Sequence, residues 1–337
     1  MRAGIAALLL ILTAFPMSGA ANEEQGNGRP GIALYHPIQT PPEDESIRFV
    51  RVNFLYARNQ DLHGLDLGMP FSANVLEGDL RGIQLGGANI VADQMRGAQF
   101  GLTNTTGSEA RGVQASLANI VGGEMRGSQL GLANITGGQV RGTQAGVANI
   151  VGGEMRGGQW GLANITGGRV RGIQAGFANI VGGEMRGGQI GVANISGGSH
   201  RGFALSAANI TGGPFTGTQI GLLNRTGGDV RGVQYGIWNW SGESLNGLQA
   251  GLVNRAEGSD GFSAQMGAIN INHGLHSGFQ TGLYNHAGHL RGLQLGIINY
   301  ARELRGLQVG LLNLRREPAT DLPRRSPVVM PVVSWGF

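Results

Sequence analysis

The most regular feature of the chain is a pattern of fifteen residues, which repeats from Met95 to Gly198 with few changes and places Arg-Gly pairs at 96, 111, 126, 141, 156, 171 and 186. When the residue before Arg is counted as position 0, the even positions read Met or Val, Gly, Gln, Gly, Ala and Ile. The odd positions read Arg, a small or branched residue, a large apolar residue, Leu or Val, and Asn, so the pattern has a period of two. Apolar residues occupy parts of both faces, which favours a strand covered on both sides. A helix is excluded because each of the several glycines per unit would cost roughly 1 kcal/mol relative to Ala. The pattern predicts an all-β fold in which each unit is buried against its neighbours.

A Gly-Gly pair joins successive units, for example at Gly152-Gly153. Two glycines between alternating runs favour a two-residue hairpin turn, whose central residues need positive φ. Folding the chain back at this pair sets Asn149 opposite Arg156 and Val147 opposite Gly158. The preferred prediction is therefore a tandem fifteen-residue repeat that forms an antiparallel β-meander, closed as a β-barrel.

A parallel β-solenoid with one unit per coil is the alternative. Stacked Gln and Asn ladders and glycine-rich corners favour it. The arginines argue against it, because stacking Arg96, Arg111, Arg126 and their equivalents about 4.8 Å apart costs on the order of 1 kcal/mol per neighbouring pair in water. An antiparallel arrangement instead sends successive arginines to opposite edges of the sheet.

The two ends of the chain differ from the repeat. Residues 1–20 combine Arg2, a short apolar run and small residues at Ser18-Gly19-Ala20, a pattern that predicts a secretory signal peptide. Residues 21–46 are polar and proline-rich and predict a flexible leader. Residues 47–337 predict a single β-repeat domain of about 17 units plus N- and C-terminal strands. The C-terminal stretch, with Trp335 and Phe337, resembles the terminal signal of bacterial outer-membrane barrels, so we expect an exported protein at the outer membrane or cell surface, with the periplasm as the alternative.

The chemistry of the side chains points away from catalysis. The 25 basic residues are all Arg and the chain has no Cys. The arginines are spread by the repeat without stacking aromatics, which argues against a nucleic-acid partner. Carboxylates occur mostly singly in turns and no Ser-His-Asp arrangement recurs, so we expect no enzyme, no catalytic residue and no cofactor. His273, His276, His286 and His289 have a spacing that metals tolerate, and in a solenoid they would lie on adjacent coils. In a meander they lie at opposite ends of the sheet and cannot share an ion, so they are interpreted as solvated turn histidines rather than a metal site.

Units of the form G-x-Q-x-G-[LVI]-x-N occur in tandem, as at Gly292–Asn299 and Gly306–Asn313. They resemble the bacterial surface-repeat family first named from leptospiral surface proteins, and the similarity covers nearly all of the chain after residue 20. It implies a non-catalytic exported or surface protein and supplies no catalytic or binding residues. The chain departs from the pattern at Phe203–Ser206 and at Ser263–Asn270, where irregular units are expected.

The functional prediction follows from the two faces of the strands. One face carries an apolar band that lies between an Arg row and an Asn row and consists of Leu130, Leu132, Trp160, Leu162, Phe177, Ile190 and Val192. In a barrel this band faces lipid, and the lumen is lined by Gln84, Gln129, Gln144, Gln159, Gln174 and Gln189. The preferred function is a structural role or a non-selective passive channel, with outer-membrane or cell-surface components as partners and no specific protein partner identified. The alternative is a soluble or surface-attached β-solenoid that acts as an adhesion or interaction scaffold.

Overall fold

The computed structural model describes residues 29–316 and 328–336, and within them the only regular secondary structure is β-strand. The chain divides into two compact units, Met1–Leu130 and Gly131–Phe337. Each unit is a parallel β-solenoid. The predicted signal peptide lies outside the described residues. The described residues contain no helix with the length and hydropathy of a membrane span.

The first unit contains twelve strands, which are β1 (Arg29–Tyr35), β2 (Ile38–Thr40), β3 (Ile47–Asn59), β4 (Leu62–Gly68), β5 (Ala73–Leu76), β6 (Leu80–Leu85), β7 (Ala88–Val91), β8 (Met95–Phe100), β9 (Thr103–Thr106), β10 (Ala110–Ala115), β11 (Ala118–Val121) and β12 (Met125–Leu130). A regular coil consists of a six-residue strand, a short corner, a four-residue strand and a second corner.

The second unit contains β13 (Ala133–Thr136), β14 (Val140–Ala145), β15 (Ala148–Val151), β16 (Met155–Thr166), β17 (Val170–Val181), β18 (Met185–Ile190), β19 (Ala193–Ser196), β20 (His200–Leu205), β21 (Ala208–Thr211), β22 (Phe215–Ile220), β23 (Leu223–Thr226), β24 (Val230–Gly258), β25 (Phe262–Met266), β26 (Ile269–Arg315) and β27 (Val328–Gly336). The longest of these, β24 and β26, each run through more than one coil.

The strand pairing corrects the preferred topology. Identical positions of successive coils pair in parallel, so that Arg156 lies beside Arg171 and Asn164 beside Asn179. In the first unit Arg111 pairs with Arg126 in the same way. The antiparallel meander is therefore wrong, and the strand pairing gives no support to the barrel that it would have formed. The alternative prediction, a parallel β-solenoid, is confirmed.

The glycines explain why the hairpin prediction failed. Positive φ occurs at the glycine of the Arg-Gly pair, as at Gly157 with φ 132°, and not at Gly152 or Gly153. A Cβ on Gly152 would lie 2.3 Å from the carbonyl oxygen of Gly137 in the coil below. The paired glycines therefore allow one coil corner to approach the next closely, which a side chain would prevent. They do not reverse the chain.

The interior of each unit is built from four columns of side chains. Position 0 supplies mostly apolar residues such as Met, Val and Leu, position 11 supplies mostly Val, Thr, Ser and Ala, position 4 supplies Gln and position 9 supplies Asn. Gln174 Nε2 donates to Gln159 Oε1 at 2.7 Å, toward the preceding coil. Asn149 Nδ2 donates to Asn164 Oδ1 at 2.8 Å, toward the following coil. The two ladders run in opposite directions, so their amide dipoles oppose each other while every coil is tied to its neighbours.

Residues 29–46, which were expected to belong to a flexible leader, are part of the fold. Strand β1 pairs in parallel with β3, and β2 pairs antiparallel with β1. The prolines of this segment lie in and beside strands at the end of the solenoid, where a missing backbone donor is tolerated. Below them, a buried ion pair between Arg51 and Asp66 takes the place of glutamine in the Gln column. Gln84 Nε2 donates to Asp66 Oδ2 at 3.0 Å, so the ion pair ends the ladder.

The irregular unit expected around Phe203–Ser206 keeps its place in the stack. Strand β20 pairs in parallel with both β18 and β22, although Ala204 replaces the glutamine. Ser206 Oγ donates to Asn209 Oδ1 at 2.8 Å, which supports the Asn column in this coil. At the far end of the second unit, β27 pairs antiparallel with the last coil and covers it.

Candidate functional site

The outer surface of the second unit carries a strip that we call the apolar flank, defined as positions 5 to 8 of each coil. In the coils between Val140 and Arg315 none of these residues is charged. Two rows of large side chains follow the coils, one at position 5 and one at position 7. The most exposed members are Leu132, Val147, Trp160, Leu162, Phe177, Ile190, Val192, Leu205, Ile220, Leu222, Tyr235, Ile237, Leu252, Met266, Leu283, Ile297 and Leu311.

The flank is an exposed surface of considerable size. Leu162 and Phe177 are 62% and 61% exposed, and Trp160 is 44% exposed. Coils spaced about 4.8 Å apart make the flank of this unit roughly 55 Å long, and a width of about 10 Å gives on the order of 500 Å². An apolar patch of this size matches the largest patch that a monomeric protein usually exposes, and such patches are often functional, so the flank is the best candidate for a functional surface.

Glycine at position 6 shapes the flank. A Cβ on Gly161 would lie 2.1 Å from the carbonyl oxygen of Gly146, so glycine allows these two coils to approach closely at this corner, although Ser206 occupies position 6 in one coil of the unit. The large side chains at positions 5 and 7 project beyond the backbone of this glycine. Around Gly236 they form a shallow apolar groove, which is lined by Leu222, Tyr235, Ile237 and Leu252.

The apolar band predicted from the sequence is thus on the surface, as expected. Its neighbours differ from the prediction. The arginine row does lie at one end of the same strand face, but the asparagine row lies in the coil interior, where Asn149 and Asn164 are fully buried. The reason is that the chain bends at positions 6 and 7 of most coils, after which the side chain at position 9 faces the interior.

The arginines form a single file on the opposite corner of the coils, where they are about half exposed. Glu154 Oε1 lies 3.2 Å from Arg156 Nε and 3.3 Å from Arg171 Nε. Hydrogen bonding to Arg156 lowers the pKa of Glu154, and the charges of Arg156 and Arg171 lower it further. Carboxylates at position 14 of some coils therefore bridge two arginines, which offsets the repulsion that had argued against stacking.

A small polar rim lies next to the flank at position 10. The guanidinium of Arg225 lies 4.4 Å from the centre of the Trp240 ring, and that of Arg255 lies 5.8 Å from it. Such contacts hold a cation against an aromatic face. Further along the same column, His286 stacks on Tyr300 with ring centres 4.8 Å apart.

The glutamines that were predicted to line a channel fill the coil interior instead. Gln84, Gln129, Gln144, Gln159, Gln174 and Gln189 are at most 1% exposed. Their amides are used in the ladders that join the coils, so they line no lumen. The channel prediction is wrong for these residues because parallel stacking turns the Gln column inward.

One of the four histidines, His276, contradicts the interpretation as solvated turn residues, whereas His273 is exposed. His276 is fully buried, and its Nδ1 lies 3.1 Å from Ser263 Oγ. Burial lowers its pKa to about 4. His273 and His286 lie on adjacent coils with ring centres 5.8 Å apart. The described residues contain no group of three or more His, Cys, Asp or Glu that could hold a metal ion.

Some structural residues were not identified from the sequence, although a signal for them was present. Arg51 and Asp66 occupy the position of Gln in their coils, and His200 and His276 occupy the position of Met or Val. Aligning each unit by position number would have marked these four side chains as buried. No family model, curated protein or solved structure matches the chain.

Proposed function

We propose that this protein is a non-enzymatic, surface-attached interaction scaffold whose apolar flank is covered by a partner when the protein functions. The observation that carries the proposal is the uncharged flank of the second unit, whose large side chains remain exposed over coil after coil. Solenoids expose their repeated face for binding because each coil already buries its inner face against its neighbours.

The interior supports the same function. The amides of Asn164 and Gln159 are buried and hydrogen-bonded to adjacent coils, so they stabilise the stack rather than face a ligand. Rigid amide ladders would hold the flank in one geometry along the unit. Attachment to the cell surface remains a prediction from residues 1–20 and from the resemblance of the repeat to a bacterial surface-repeat family.

The absence of cysteine makes this proposal directly testable. A Leu162→Cys variant places one thiol on the flank, and a Gln139→Cys variant places one on the opposite corner, where the residue is also exposed. Both thiols should react at similar rates with a membrane-permeant maleimide in the purified, dilute protein.

In intact producing cells, we expect the flank thiol to react at least tenfold more slowly than the corner thiol, because a partner covers it. Equal reactivity of the two thiols in cells would show that the flank is free and would contradict the proposal. Circular dichroism of both variants checks that the β-structure is retained.

A further inference from the structure

We infer that the occupant of the apolar flank is a lipid surface, into which the corner of the coils at positions 5 to 8 inserts. This inference rests on the proposed function and names the chemistry of the partner. Its first support is the variation in side-chain size within the second unit. Row position 5 reads Ala145, Trp160, Ala175, Ile190 and, further on, Tyr235, with no charge at any of these sites.

That combination of fixed polarity and variable size favours a fluid partner. A protein interface requires complementary shape at its core, so side-chain volumes would be constrained along the flank. Hydrocarbon chains require only that the surface is apolar. The interior positions of the same coils behave differently, because Gln159 and Asn164 recur almost without change, as expected for sites with a fixed packing partner.

The backbone of the flank is suited to contact with hydrocarbon. A polar backbone group without a partner is costly in a lipid environment, which usually excludes open sheet edges. On the side of a solenoid the amide groups point along the stack. Gly146 N, for example, donates to the carbonyl oxygen of Trp160, and Ala163 N to that of Val147. The corner can therefore enter an apolar phase with its hydrogen bonds already made.

The charges lie where insertion of this corner would leave them in water. The arginine file is at position 1, four residues before the first row, which corresponds to about 13 Å along a strand. Interfacial elements bury their apolar face only about 5–10 Å deep. Arg156 and Glu154 would thus remain outside the hydrocarbon, while Arg225 and Arg255, at the rim, would lie near the headgroups.

The test measures flotation of the purified protein with vesicles of palmitoyl-oleoyl phosphatidylcholine, with and without phosphatidylglycerol. We expect binding to both compositions. Binding should survive about 0.5 M NaCl, where the Debye length is only a few ångströms, because burial of apolar surface and not charge drives insertion.

The decisive variant is Leu162→Asp combined with Phe177→Asp, since both side chains point outward and neither contributes to the coil interior. We expect its vesicle partition coefficient to fall at least tenfold. The matched control, Gln139→Asp with Thr216→Asp, adds the same number of charges at the opposite corner and should bind as the unchanged protein does. Circular dichroism confirms folding of both variants.

Two results would overturn the inference. One is that the unchanged protein does not float with either vesicle, and the other is that the flank variant floats as well as the control. If the flank thiol is still protected in cells, the proposed function stands and the partner is a protein. Sedimentation of the purified protein would then show whether that partner is a second copy, bound through the flank. If the thiol is unprotected, both proposals fail.

Discussion

The amide columns and the flank of the second unit depart from the usual distribution of polarity in a protein, because polar side chains are buried while large apolar ones are exposed. Asn164 is fully buried, whereas Leu162, only two residues earlier, is 62% exposed. The buried amide is stable because its Nδ2 group donates both to Asn179 Oδ1 and to the carbonyl oxygen of Ala175, each at 2.9 Å. The contrast teaches that a stacked repeat can bury polar side chains at low cost, provided that each one meets an identical partner, and can then place its apolar residues outside.

The largest effect is expected where the polar interior holds a charge. In an Arg51→Ala variant, Asp66 would remain buried without its guanidinium partner. We expect a loss of about 4 kcal/mol in the free energy of unfolding of the first unit, measured by urea denaturation.

The control for this prediction is the double variant Arg51→Gln with Asp66→Gln, which extends the Gln ladder to the end of the unit. It should recover most of the lost stability because Gln84 keeps an acceptor in the preceding coil. A single variant within 1 kcal/mol of the unchanged protein would show that the ion pair is dispensable.

Exchanging the two residue types tests the comparison itself. In Asn164→Leu, Asn179 Oδ1 and the Ala175 carbonyl lose a donor in a buried site, and we expect a cost of about 3 kcal/mol in urea denaturation. The reverse change, Leu162→Asn, alters an exposed side chain and should change stability by less than about 0.5 kcal/mol. Similar costs for both variants would remove the distinction between interior and flank.

A smaller effect should appear as a pH dependence of stability. The pKa of His276 is about 4 in the folded protein because of burial, and its nearest side-chain contacts, Ser263 and Asn272, are uncharged. An unfolded histidine has a pKa near 6.5, so the unfolded chain takes up the proton first as the pH falls. Stability is fully present above about pH 7 and is lost progressively toward pH 4. The expected loss is about 2 kcal/mol between pH 8 and pH 5 for this residue.

The variant His276→Leu isolates this contribution, since leucine occupies the same column at Leu245 and Leu290. It should flatten the pH dependence by that amount when the two proteins are compared by urea denaturation at each pH. His200, which is also buried with a pKa of about 4, remains in both proteins and serves as an internal reference. An unchanged slope would show that His276 is hydrated in the folded state.

The sequence alone determined the repeat length, the all-β character and the composition of the apolar band. These follow from local pattern, because a period of two and a high glycine content exclude helices whatever the tertiary arrangement. The spacing of residues such as Leu162 and Phe177 in the sequence was sufficient to predict the apolar band of the flank. Its neighbours could not be assigned, because they depend on where the chain bends within a unit.

Only the tertiary structure decided the direction of stacking. Two features of the sequence favoured reversal of the chain. One is the electrostatic repulsion between stacked arginines, and the other is the Gly-Gly pair, which is typical of a turn. The structure shows that Glu154 and its equivalents bridge the arginines and that Gly152 serves close approach rather than positive φ. Contacts between residues fifteen positions apart carry these effects, and a pattern read along a single unit does not contain them. Parallel stacking buries the amide side chains inside the coils and leaves the apolar flank exposed, so the flank is the candidate functional surface.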